Sequence, residues 1–211
     1  MPGYIFSAFC ENEKYIEYKL SVIESIKKVV ECMKLNKKKY LCSLKSMNFS
    51  DKNIVNIYNF YLYKSFAVSS PQKRSVEDYG WKTSISKSYG YGAMENDLRE
   101  KANIEFHFKK CKKKQKDSIV LLLSKNHLSD DKFDNKKLNA VLEQYTNEAR
   151  MVCLFRHIRN AIAHGNTYQF KNGNILLEDK LGEKLTARIL IKYKTLTDWI
   201  KVIDKNNILE K

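Results

Sequence analysis

The run Arg156-His157-Ile158-Arg159-Asn160-Ala161-Ile162-Ala163-His164-Gly165 places four ionisable side chains within ten residues. Guanidinium groups grip phosphate oxygens in charge-assisted pairs, and imidazole exchanges protons near neutrality. Cleavage of RNA by attack of its own 2′-hydroxyl needs both services. A proton donor or acceptor must stand at the scissile phosphate, and a cation must hold the charge that develops there. That chemistry calls for no metal ion and no cofactor.

The element that must position these groups reads as an amphipathic helix. At about 100° per residue, Met151, Leu154, Phe155, Ile158 and Ile162 share one face, with Ala161 at its edge. Arg156, Asn160 and His164 follow one another at intervals of four on the opposite side, and Arg159 lies at the border. Gly165 is placed to end the helix, because glycine accepts the left-handed conformation common just past a helix terminus. Asn147 is a candidate cap at the other end. The helix turns by about 140° between Arg159 and His164, so one copy does not present the two side by side. Two copies meeting across a two-fold axis bring both polar stripes to one cleft, which ties activity to a homodimer.

The string Arg159-Asn160, three residues, then His164-Gly165 resembles the motif of the HEPN superfamily, in which an arginine, often followed by a polar residue, precedes a histidine at a short helical spacing. The text that follows is similar too: a turn at Gly165-Asn166, a strand ending at residues 175–179, a second strand over 186–191 and a closing helix around Leu196 and Trp199. The likeness spans about 140–205 within what reads as a single domain over 1–211. It implies a mainly α fold, a helical bundle with a small C-terminal β-hairpin. It also implies a metal-independent endoribonuclease of toxin–antitoxin, abortive-infection or anti-phage defence type, acting as a homodimer and restrained by an antitoxin or defence partner. Carried over by motif, Arg159 and His164 are the catalytic pair, and Asn160 orients the histidine or the phosphate. One departure matters. Members silenced by nucleotidylation carry a tyrosine two residues after the histidine, where this chain has Asn166, with Tyr168 two positions further on.

The charge balance agrees with a polyanionic partner. With 39 Lys plus Arg against 24 Asp plus Glu, the net charge is +15, a field that draws nucleic acid to the surface. The sharpest basic run, Lys109, Lys110, Lys112, Lys113 and Lys114, reads as the end of a helix over 94–114 whose lysines hold an RNA backbone through sequence-independent phosphate contacts. Arg156 and His157 are further candidates for RNA binding. A solvated, dipole-favoured helix end is the competing reading of the lysines.

Five cysteines, at 10, 32, 42, 111 and 153, lack zinc-ligand spacing. Their odd number suggests reduced thiols in a cytoplasmic setting, with Cys32, Cys42 and Cys153 as small apolar fillers. The start Met1-Pro2-Gly3-Tyr4 has no basic stretch before its apolar run, and the longest apolar run, 119–123, is too short to span a bilayer, so no membrane is implied.

Helical periodicity covers 15–33, and Ser50-Asp51 opens a second helix through Tyr61 that stops before Ser69-Ser70-Pro71. Residues 69–92, rich in serine and glycine, form an irregular loop whose Tyr79, Trp81, Tyr89 and Tyr91 either stack on bases or pin the loop to the body. Asp130-Asp131 and Asn135 open a helical region through Leu138, Val141, Leu142 and Tyr145. No paired acidic motif, glycine-rich phosphate loop or nucleophile elbow is present. The alternatives to an enzyme are a basic module that binds RNA or a partner protein and, last, a helix-turn-helix repressor, for which no pair of short helices joined by a tight glycine turn is found.

Overall fold

The computed structural model describes residues 52–83, 90–111, 119–130 and 132–209. The helix expected over 15–33 and Cys10, Cys32 and Cys42 lie outside them. The helices are α1 (Lys52–Tyr58), continued by a π-helical turn over Asn59–Lys64, α2 (Tyr91–Ala102), α3 (Val120–Lys125), α4 (Arg150–Ala163) and α5 (Tyr193–Ile203). The strands are β1 (Phe106–Cys111), β2 (Asn139–Tyr145), β3 (Thr167–Gln169), β4 (Asn174–Leu181) and β5 (Lys184–Lys192). They make one five-stranded sheet in the order β1-β2-β5-β4-β3. β1 and β2 are parallel, joined through α3, and the remaining pairs are antiparallel.

The fold is therefore a mixed sheet with helices on both faces, which corrects the expectation of a mainly α helical bundle. Two stretches account for the difference. The helix expected over 94–114 stops at Ala102, because Asn103 takes the left-handed conformation with φ of 51° and ends it as a glycine would. The chain then runs on as β1. The helical region expected through Tyr145 is instead β2, which lies between β1 and β5 and is covered on both faces. A strand buried on both sides reads as a continuous apolar run, here Ala140-Val141-Leu142, and carries none of the alternation that marks a strand in sequence.

α1, α2, α4 and α5 share one core with Ala140, Leu142, Ile175, Leu177, Ala187, Ile189 and Ile191. The other face of the sheet presents Val141, Leu176 and Leu190 to Leu123 of α3 and to Ile119 and Leu128 beside it, together with Tyr168 and Phe170. Alternation along β4 thus sends Ile175 and Leu177 toward α4 and Leu176 away from it. Buried aromatics fasten the helical layer by their polar ends. Tyr61 Oη donates to Leu196 O at 3.0 Å, and Trp199 Nε1 donates to Leu98 O at 2.9 Å. Residues 69–83 contain no helix or strand, as the sequence suggests. Tyr79 and Trp81 are buried and donate to Lys64 O and Ile203 O. They pin the loop and are not offered to bases. Tyr89 lies outside the described residues, and Tyr91 opens α2, half-buried beside Phe66. No helix among the described residues is long and apolar enough to cross a membrane.

Candidate active site

α4 has the two sides its sequence foretells. Met151, Leu154, Phe155, Ile158, Ala161 and Ile162 are buried, whereas Arg156, Arg159 and Asn160 are half-buried and His164 is exposed. Asn147 does not cap it; Ala149 is the extended residue before the helix and no side chain caps the start. The other end closes as a Schellman motif. Gly165, with φ of 69°, donates to Ile162 O at 3.1 Å, and Asn166 donates to Ala161 O at 2.8 Å. His164 is the C-cap residue within this turn and is exposed.

Seven residues earlier, His157 has another fate. It is 1 % exposed, and its ring is held at both nitrogens: Nδ1 lies 2.7 Å from Asp179 Oδ2 on β4, and Nε2 lies 2.8 Å from Glu143 O on β2. Arg156 Nη2 also lies 3.3 Å from Nε2, so both ring nitrogens are taken up within the protein. This rigid strut ties α4 to two strands and leaves nothing to offer a phosphate, which corrects the reading of His157 as an RNA ligand.

Asp179 is shared. The same Oδ2 accepts from Asn160 Nδ2 at 3.0 Å, and Asn160 Oδ1 accepts from Arg159 Nη1 at 2.9 Å. Arg159 Nε is buried and has no hydrogen-bond partner among the described residues. Asn160 therefore touches Arg159, where the sequence had it orient the histidine or the phosphate. Arg156 is occupied differently. Its Nε and Nη2 grip Glu148 Oε1 and Oε2 at 2.6 and 2.8 Å, and its guanidinium lies 4.4 Å from the centre of the Tyr145 ring. Such a bidentate, stacked arginine is mostly spent inside the protein.

Electrostatics bind the cluster together. Burial pushes the carboxyls of Asp179 and Glu148 up. The hydrogen bond and charge of His157 together with Asn160 and Arg156 outweigh it at Asp179, and those of Arg156 outweigh it at Glu148, so both stay below the usual carboxylate range. Burial also pushes the Cys153 thiol up, and that side chain is a fully buried filler as expected.

Lys109 and Lys110 are exposed, but on strand β1 and not at a helix end. They pair in register with Glu143 and Gln144. Since Glu143 O receives His157, the two lysines sit at the end of the sheet over which α4 passes. Lys112, Lys113 and Lys114 lie outside the described residues. Tyr168 is buried in the second core, across the sheet from this cluster. Among the described residues no three His, Cys, Asp or Glu side chains are grouped to hold a metal ion.

Sequence reasoning missed Glu148 and Asp179. Both are distant partners in the chain, 8 and 19 residues from the arginine and asparagine they hold. Only the acidic ending of the expected strand, Glu178-Asp179, hinted at the second. No protein-family model, curated protein or solved structure matches the chain.

Proposed function

We propose that the protein is a metal-independent endoribonuclease of a toxin–antitoxin or anti-phage defence system, working in the cytoplasm as a homodimer and held in check by a partner protein. Arg159 is the group that holds the scissile phosphate, and His164 is the group that moves the proton. One observation carries the reading. The Arg159 guanidinium is fastened at Nη1 to Asn160 while its Nε, shielded from water, has no partner among the described residues. A buried donor left unmatched calls for an acceptor, and a phosphate oxygen set against a guanidinium fork is the strong form of that pair.

The exposure of His164 supports the division of labour, since a proton-transfer group must reach the substrate. Lys109 and Lys110 supply positive charge at the same end of the sheet and suit the RNA backbone flanking the cut. The reading rests on the motif and these contacts and does not need a helical bundle.

Its test is cleavage of a labelled single-stranded RNA in EDTA by the wild type beside His164→Ala. The expected result is cutting by the wild type alone, with a 2′,3′-cyclic phosphate on the product. Equal binding by both proteins with no cutting by either turns the reading toward an RNA-binding module.

A further inference from the structure

The geometry points to Asp179 as a positioning residue that sets the orientation of the Arg159 guanidinium through Asn160; the inference rests on the ribonuclease reading above for its catalytic consequence. A primary amide has one accepting end and two donating protons on the other, and in isolation nothing prefers either end. Facing an arginine, only the oxygen is useful, because the amide nitrogen and the guanidinium are both donors. Asp179 Oδ2, which only accepts, takes Asn160 Nδ2 at 3.0 Å and thereby commits Oδ1 to Arg159 Nη1 at 2.9 Å. The carboxylate decides which way the amide faces, and the amide decides where the guanidinium lies.

Asp179 is itself fixed from three directions. The β4–β5 register slips between Asp179 and Lys180, so that Asp179 pairs with Ala187 while Lys180 pairs with Leu185. Such a bulge re-aims a strand residue beside it. Thr186 Oγ1 on β5 donates to Asp179 O at 3.1 Å. His157 holds Oδ2 at 2.7 Å while bonding Glu143 O of β2 with its other nitrogen. The relay tethers Arg159 at Nη1 and leaves its buried Nε unmatched among the described residues, so the guanidinium is held in a set direction and not as a free-swinging side chain.

The test compares Asp179→Asn, Asn160→Ala and the double variant in the full chain. Single-turnover cleavage and binding of a labelled single-stranded RNA are read alongside NMR of the Arg159 Nε–Hε and Asn160 Nδ2 signals. Each single change is expected to slow cleavage about 10- to 100-fold while RNA affinity stays nearly constant. The double variant is expected to be no slower than the worse single one, because both break one chain. The Arg159 signal should move in Asp179→Asn although Asp179 does not touch Arg159. Losses that multiply in the double variant, or an Arg159 signal left in place by Asp179→Asn, overturn the relay. If the wild type does not cut RNA but the Arg159 signal still answers to Asp179, the positioning stands and the ribonuclease reading falls. Should Asp179→Asn fail to fold, Asp179→Glu keeps the carboxylate that His157 requires, moves it by one methylene, and must still shift the Arg159 signal.

Discussion

Two histidines, His157 within α4 and His164 just past its end, lie seven residues apart and meet opposite surroundings. His157 is sealed between helix and sheet, with both nitrogens consumed by Asp179 and Glu143. His164 stands at the rim of the Schellman turn, exposed. The helix is the same; what differs is which part of it lies over the sheet. Burial converts an imidazole into a strut, whereas the end of a helix beyond its last packed turn leaves one free for chemistry. The candidate site thus joins a hydrogen-bonded base, to which a half-buried Arg159 is tethered, and an exposed His164.

Substitutions at the two histidines should have opposite effects. The largest expected effect is on turnover: His164→Ala should lower RNA cleavage about 10²- to 10⁴-fold, the range a proton-transfer group supplies. Its stability in urea should stay within about 0.5 kcal/mol of the wild type, as for surface changes generally. A large loss of stability there would erase the contrast between the two residues. His157→Ala should do the reverse, costing about 3 to 5 kcal/mol in urea denaturation, because it removes the closest of the groups that hold the buried Asp179 carboxylate. A variant as stable as wild type would show that the strut is not one. Arg156→Ala should cost less, about 1.5 to 3 kcal/mol for charge-assisted hydrogen bonds to Glu148, measured the same way.

The smallest effect is on pH. Asp179 and Glu148 have native carboxyls held below their unfolded values. Their contribution to stability is therefore fully present above the ordinary carboxylate range of about 4 and is lost as pH falls through the lowered native values. Urea midpoints taken from neutral pH downward should drop in that acid window. The drop should be shallower in Glu148→Gln, and an unchanged profile would show that the carboxyl carries no linked stability.

How much of this was legible in the chain varied with the element. α4 announced itself because its apolar spacing, its polar stripe and Gly165 agree, and the same consistency marked β4, β5 and α5. β1 and β2 were hidden for different reasons. β1 follows α2 after only three residues, Asn103 to Glu105, and its lysines resembled a solvated helix end. β2 lies inside the sheet and lacks alternation. The candidate pair Arg159 and His164 was visible as a local spacing. Asp179 was not, since its contacts with His157 and Asn160 exist only once β4 is laid under α4, and the same tertiary burial took His157 out of the RNA-binding set.

Subunit mixing tests whether two chains share each site. Arg159→Ala and His164→Ala, each inactive alone, are combined, allowed to exchange subunits, and assayed on labelled RNA in EDTA. If each site takes its arginine from one chain and its histidine from the other, mixed dimers carry one intact site and random mixing restores about a quarter of wild-type cleavage. Mixed dimers that form yet cut nothing, beside a wild type that does, would contradict a site shared across the two-fold axis.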